Sequence, residues 1–179
     1  MPRNIELKAR IASVEALLPL ARAVAGGEAE LIDQDDSFFS VAHGRLKLRQ
    51  FADGSAELIH YQRNDTASAK ASDYVRVAVA EPAALREALA RACGLLGRVR
   101  KRRWLLLAER DGFGTRIHLD RVEGLGDFME LEVVLREGQT DAAGSAQADA
   151  LMEALGLAAA ERIAGAYLDL LRDQGASRA

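Results

Sequence analysis

"GRVRKRRWLLLAERDGFGTRIHLDRVEGLGDFMELEVVLRE", residues 97–137, contains three long runs that alternate at period two. "GRVRKRRWLLLAER" and "GTRIHLDRVEG" are joined by "DGFG", a hairpin signal, and "FMELEVVLRE" follows. Alternation of this kind belongs to strands, whose successive side chains point to opposite faces. Glu130 and Glu132 then oppose Met129, Leu131 and Val133. Arg116, His118 and Asp120 share one side, and Lys101 and Arg103 another, while Arg100, Arg102 and Trp104 turn away from that pair. Three successive strands with charged faces imply a sheet that is antiparallel and richly charged on one side.

The rest of the chain extends this pattern. "RNIELKAR" at residues 3–10 places Asn4, Glu6, Lys8 and Arg10 opposite Ile5, Leu7 and Ala9. "SVEALLPLARAVAG" has apolar residues at helical spacing, with Ser13 as a plausible N-cap and Pro19 as an objection to one straight helix. "AELIDQDDSFF" and "GRLKLRQF" read as strands, and "ADGS" at 52–55 turns the chain into the strand "AELIHYQR". After the polar loop "NDTASAKAS" comes a strand near "DYVRVAVA" and a helix, "EPAALREALARACG", with Pro82 at its start. "ADALMEALGL" and "AAERIAGAYLDLLRD" read as closing helices. The expected fold is α+β: about eight strands in an antiparallel sheet that could close into an eight-stranded β-barrel, with flanking helices. A single domain is expected over residues 1–179, with C-terminal helices at about 145–173 packed on the barrel.

Composition narrows the function classes. A net charge of −3 argues against generic nucleic-acid binding. No long apolar run predicts a membrane span, and the N-terminus lacks a signal-peptide core. The single cysteine, Cys93, fits a reducing cytoplasm and reads as a buried small residue. A cytoplasmic location is therefore expected.

The charged faces are the unusual feature. "RLKLR" aligns Arg45, Lys47 and Arg49, and "AELIHYQR" aligns Glu57, Tyr61 and Arg63. Taken singly, each strand reads as the solvated face of an amphipathic sheet. Turned inward together, so many bases and acids would be costly without a partner, because like charges repel and every ion loses hydration. A polyanion carrying a divalent cation would satisfy both sets: Arg and Lys grip phosphate oxygens, and carboxylates hold Mg²⁺ or Mn²⁺.

These segments resemble the CYTH family, or triphosphate tunnel metalloenzymes, which includes class IV adenylyl cyclases and thiamine triphosphatases. "NIELKAR" looks like the family's Glu-x-Glu-x-Lys signature. "QDDSFFSVAHGRLKLR", "VRKRRW", "IHLDRVEGLGDFMELE" and "AYLDLL" resemble its later blocks. The resemblance implies a tunnel that binds a triphosphate. Lys8, Arg45, Lys47, Arg49, Arg63, Lys101, Arg103 and Arg116 would grip phosphates, with Lys8, Lys101 and Arg103 closest to the chemistry. Glu6, Asp120, Glu130 and Glu132 would hold Mg²⁺ or Mn²⁺ directly or through water. The signature's first Glu is Asn4 here, which lowers the site's negative charge by one. Expected partners are a triphosphate small molecule (ATP, tripolyphosphate or thiamine triphosphate) and a second copy in a homodimer, with neither nucleic acid nor membrane.

Three activities share these residues: cyclisation of ATP with loss of pyrophosphate, hydrolysis of a terminal phosphate, and binding without turnover. The "RNIELKAR" start and the "LDRVEGLGDFMELE" block look most like the cyclase branch. No adenine-specifying residue is evident in the loop "NDTASAKASDY". His43, His60 and His118 are scattered, so a zinc site is not expected, although His118 could lie in the tunnel beside Arg116 and Asp120. Arg10 is expected at the tunnel mouth or on plain surface, and Arg100 and Arg102 on an outer, solvated stripe.

Overall fold

The structure, a computed structural model, describes residues 3–63 and 72–176. Eight strands form one antiparallel sheet: β1 (Arg3–Arg10), β2 (Glu30–Phe39), β3 (Arg45–Phe51), β4 (Ala56–Arg63), β5 (Ser72–Ala78), β6 (Leu95–Arg110), β7 (Phe113–Val122) and β8 (Gly126–Leu135). Their spatial order is β1-β8-β7-β6-β2-β3-β4-β5. The sheet curls into a half-barrel, and its edge strands β1 and β5 approach one another. The local signals behave as expected. Ser13 caps α1 (Val14–Ala25) by accepting from the Ala16 amide at 3.1 Å, and Pro19 is accommodated within that helix. Pro82 opens α2 (Pro82–Cys93). The β6–β7 turn places Asp111 and Gly112 at φ of 52° and 78°.

The core lies on the convex side of the sheet. Ile5 and Leu7 of β1, Leu106 of β6, Ile117 and Leu119 of β7, and Met129, Leu131 and Val133 of β8 pack there against α1 and α3 (Asp141–Ala154). At period two, this packing sends the charged alternate residues to the concave side. Gly144 lets α3 settle closely on the sheet, because a Cβ there would meet Leu135 at 2.6 Å and Ile5 at 2.8 Å. The burial of this apolar layer therefore fixes which way the tunnel residues point.

Three expectations need correction. "GQTDAAGSAQ" is expected as a loop before "ADALMEALGL", but α3 already starts at Asp141, because Thr140 caps it by accepting from the Ala143 amide at 3.2 Å. The last helix is shorter than "AAERIAGAYLDLLRD" suggests: α4 spans Tyr167–Ala176. The preceding chain instead runs beside β1, with Ala9 and Arg162 bridged and the Ile163 amide donating to the Lys8 carbonyl at 2.8 Å. Gly165 at φ 87° then breaks any continuous helix before Tyr167. Cys93 is half-buried rather than buried, because it ends α2 at the margin of a small cluster around Phe39 and Leu48.

Candidate active site

The concave face encloses a cavity of about 420 Å³. Lys8, Lys47, Arg49, Lys101, Arg103 and Arg116 line it, together with Glu6, Glu130 and Glu132. The register explains this convergence. Glu6 lies directly across from Glu132 on the β1–β8 ladder, and Lys8 from Glu130. His118 lies across from Glu130 and Arg116 from Glu132 on the β7–β8 ladder. Opposed residues of antiparallel strands share a face, so these acids and bases are neighbours by construction.

The charges neutralise one another. Glu130 is ion-paired with Lys8 Nζ at 3.1 Å and accepts from Arg103 Nη2 at 2.6 Å. Glu132 accepts from Arg116 Nη1 at 3.0 Å. Burial alone would raise the carboxyl of Glu130, but Lys8 and its other cationic neighbours outweigh it and hold the group well below the usual range. Lys101 is lowered, first by burial and then by Arg103. Arg103 is raised, since Asp120 and Glu130 outweigh its burial.

Asp120, expected among the residues holding the cation directly or through water, lies behind the cavity lining. It is fully buried, and its two oxygens accept from Lys101 Nζ (3.0 Å), Arg103 Nε (2.6 Å), Arg103 Nη2 (2.6 Å) and the Tyr167 hydroxyl (3.0 Å). Burial opposes its ionisation, yet Arg103 and Lys101 hold it charged to far below the usual carboxylate range. Asp120 thus anchors two tunnel cations from behind. The Tyr167 ring completes the anchor, with Lys8 Nζ 4.0 Å and Lys101 Nζ 5.0 Å from its centre.

Asp36 does the same for the opposite wall, a role not anticipated from the sequence. It accepts from Lys47 Nζ at 2.9 Å and from Arg49 Nε and Nη2 at 2.7 Å each. Burial would raise its carboxyl, but Lys47 and Arg49 hold it far lower. Lys47 is itself lowered to about 8, by burial first and then by Arg49. The missed signal was period two within "IDQDDSFF": Gln34, Asp36 and Phe38 line the cavity, whereas Asp33 and Asp35 pair outside with Arg102 and Arg98.

The remaining expected residues are more dispersed. Arg45 is outside the cavity lining and is held by Asp169 of α4 at 2.9 Å. Arg63 ends β4, and its side chain lies outside the described residues, as does most of the loop "NDTASAKASDY". Asn4 is buried on the cavity wall, and Glu57 and Tyr61 also line it. Arg10 instead bonds the Leu125 carbonyl at 2.8 Å and lies over Phe128. Arg100 and Arg102 form an outer, partly exposed stripe, paired to acids.

The donor set fits a hard divalent cation in its chemistry, since Glu6, Glu130 and Glu132 present carboxylate oxygens to one cavity. Two buried polar atoms on the lining, Gln34 Oε1 and His118 Nδ1, have no hydrogen-bond partner among the described residues. Such orphaned atoms are what a bound group would satisfy. As the side chains lie, no three His, Cys, Asp or Glu among the described residues form a ready metal shell. Lys8, Arg103 and Arg116 occupy the carboxylates instead.

Comparison with known proteins agrees with this geometry. The CYTH domain matches residues 2–167. A structure from Pyrococcus horikoshii superposes with a TM-score of 0.77 at 22% identity, covering 94% of this chain and 99% of that one. A conserved hypothetical protein from Pyrococcus furiosus gives 0.78 at 21% identity, covering 93% and 99%. A Vibrio parahaemolyticus structure described as a "putative adenylate cyclase" gives 0.73 at 20% identity, covering 95% and 98%. At these identities the likeness concerns the fold. No curated protein matches the chain significantly.

Proposed function

The chain belongs to the CYTH domain family, and from that premise we propose that its tunnel takes up a triphosphate with a divalent cation and cyclises ATP to cyclic AMP and pyrophosphate. The observation that carries this reading is the composition of one cavity: Lys and Arg side chains from five strands interleaved with Glu6, Glu130 and Glu132. A triphosphate offers acceptors to the bases, and its cation offers charge to the acids, so the complex replaces both sets of internal ion pairs at once.

The residues act by positioning and charge. Lys8 and Arg103 leave Glu130 for phosphate oxygens, Lys101 reaches them while Asp120 still holds it, and Arg49, Lys47 and Arg116 hold the rest of the chain of phosphates. Glu6, Glu130 and Glu132 hold Mg²⁺ or Mn²⁺, which when bound supplies neutralisation of the phosphate charge. The ribose 3′-oxygen attacks the α-phosphorus as its bond to the bridging oxygen of the β-phosphate breaks. The hydroxyl proton passes to solvent water and pyrophosphate departs with the bridging oxygen. Asp120 and Asp36 keep the cations extended toward the cavity and do not touch substrate.

An organic triphosphate is preferred to tripolyphosphate on one observation, that the same cavity carries Phe51, Ile59, Tyr61 and Tyr74, and the choice of cyclisation rests on the likeness of "RNIELKAR" and "LDRVEGLGDFMELE" to the cyclase branch. That surface suits a purine and is superfluous for inorganic tripolyphosphate. Product analysis with ATP, tripolyphosphate and thiamine triphosphate in Mg²⁺ or Mn²⁺ tests the reading. Cyclic AMP with pyrophosphate supports it, orthophosphate supports a phosphohydrolase in the same tunnel, and binding without product supports a sensor.

A further inference from the structure

We infer that His118 is a nitrogen ligand to the divalent cation of this tunnel, forming with Glu130 and Glu132 a mixed nitrogen–oxygen site that favours Mn²⁺ over Mg²⁺. The inference rests on the reading of the tunnel as a metal–triphosphate site, and it departs from the all-carboxylate ligand set that the sequence suggests.

The placement of His118 is the first ground. It stands on β7 directly across from Glu130 and two residues from Arg116, the partner of Glu132, so its ring enters the same face as both glutamates. It is 4% exposed, and Nδ1 has no hydrogen-bond partner among the described residues. Nδ1 lies 3.8 Å from Glu132 Oε1 and 3.9 Å from Glu130 Oε2. These distances exceed hydrogen-bond length, so neither glutamate satisfies the nitrogen. Donors at right angles around an ion bonded at roughly 2.1 Å lie about 3 Å apart. A closure of under about 1 Å therefore brings Nδ1 and either glutamate oxygen onto one cation.

The support behind the donors is the second ground. Arg116 holds the other oxygen of Glu132, and Lys8 the other oxygen of Glu130. Glu132 thus keeps Oε2 fixed by Arg116 while Oε1 faces His118; Glu130 Oε2, which also faces His118, carries the 2.6 Å bond from Arg103 and becomes available to the ion when Arg103 turns to phosphate. Such outer contacts orient ligands for a metal. The chemistry of the donor then sets the preference. Mg²⁺ favours an all-oxygen octahedron, whereas imidazole nitrogen suits first-row transition ions.

The test uses the full chain with Mn²⁺ and tripolyphosphate. Pulsed electron paramagnetic resonance is expected to show coupling of Mn²⁺ to one imidazole nitrogen. Calorimetry is expected to show Mn²⁺ bound about tenfold more tightly than Mg²⁺, with that preference largely lost in His118→Gln, which offers an oxygen instead. Saturable Mn²⁺ binding that Glu132→Gln removes, but without nitrogen coupling in the unaltered protein, overturns the inference and leaves the metal reading intact. An unchanged Mn²⁺ preference in a folded His118→Gln also overturns it. Absence of Mn²⁺ binding with tripolyphosphate overturns the metal reading itself. The coupling measurement needs no variant and stands even if His118→Gln fails to fold.

Discussion

Replacing Asp120 by Asn tests whether this carboxylate is an anchor or a ligand. In the folded chain its oxygens take four hydrogen bonds from Lys101, Arg103 and Tyr167, at 2.6 to 3.0 Å, in full burial. The substituted amide would keep one acceptor but no charge, leaving Lys101 and Arg103 buried with Glu130 as the nearest anion. Removing one member of a buried pair costs about 3–5 kcal/mol. The retained amide oxygen and the Arg103–Glu130 contact place Asp120→Asn near the lower end, at about 3 kcal/mol. For a chain of this size that lowers Tm by roughly 6–12 °C. The pH dependence has a definite sign. Asp120 is depressed in the folded state, so the unfolded chain takes up its proton first on acidification. Its contribution is present above about pH 4 and is lost as pH falls further, so the variant should lose stability less steeply in acid than the parent. Urea denaturation at pH 7 and in acid measures both effects. A loss below about 1 kcal/mol at pH 7, with an unchanged acid limb, would refute the anchoring argument. Mn²⁺ affinity in the same variant is expected to stay within about tenfold, and a fall beyond about a hundredfold, more than an outer contact costs, would make Asp120 a ligand.

Three further outcomes follow from the same contacts. Lys47 titrates near 8 among Asp36, Arg49 and Lys101, so tripolyphosphate affinity should fall as pH rises through about 8; Lys47→Arg should bind with a flat profile across that range, and a parent profile that is already flat from pH 7 to 9 would contradict the assignment. Asn4→Glu adds a carboxylate to a buried wall two residues from Glu6; calorimetry should show divalent-cation affinity raised several-fold, about tenfold at most, with lower stability of the cation-free protein, and an unchanged affinity would place residue 4 outside the metal's reach. Tyr167→Phe removes the 3.0 Å bond to Asp120 but keeps the ring beneath Lys8; it should cost about 1 kcal/mol in urea denaturation, and a loss comparable to that of Asp120→Asn would mean that the hydroxyl holds more than this one bond.

The sheet was legible because its two faces differ so sharply. In "MELEVV" and "IELKA" the alternation of Leu, Ile and Val with Glu and Lys has a single solution once one face must be buried, and β1 and β8 follow it residue by residue. The inward charges were legible for the same reason. What escaped was one acid hidden among its neighbours and two contacts that no local pattern encodes. Asp36 sits in a run of acids whose members divide between inside and outside, so composition hides the one that matters. Tyr167 reaches Asp120 across 47 positions of sequence, from the first residue of a short helix. Arg45 has the same strand-face pattern as Lys47, yet Asp169 of α4 holds it away from the cavity lining. Period two already separates Asp36 from Asp33 and Asp35, whereas tertiary neighbours, not strand phase, decided Tyr167 and Arg45.

Those neighbours also explain why a cation should accompany the polyanion. Glu130 is already bonded to Lys8 and Arg103, Glu132 to Arg116, and Asp36 to Lys47 and Arg49. A bare triphosphate drawing Lys8 and Arg103 away would leave Glu130 buried and unpaired beside a new anion, at a cost of several kcal/mol. A divalent cation arriving with it takes over the abandoned carboxylates, so partners are exchanged rather than lost. Asp36 and Asp120 lie behind their bases and keep them oriented through the exchange. The same logic makes triphosphate binding and metal binding mutually dependent: each ligand should tighten the other by the same factor. Calorimetric titration of tripolyphosphate with and without Mn²⁺, and of Mn²⁺ with and without tripolyphosphate, measures that factor from both sides. Metal-independent binding of tripolyphosphate at full affinity would show that the inward acids play no part in it.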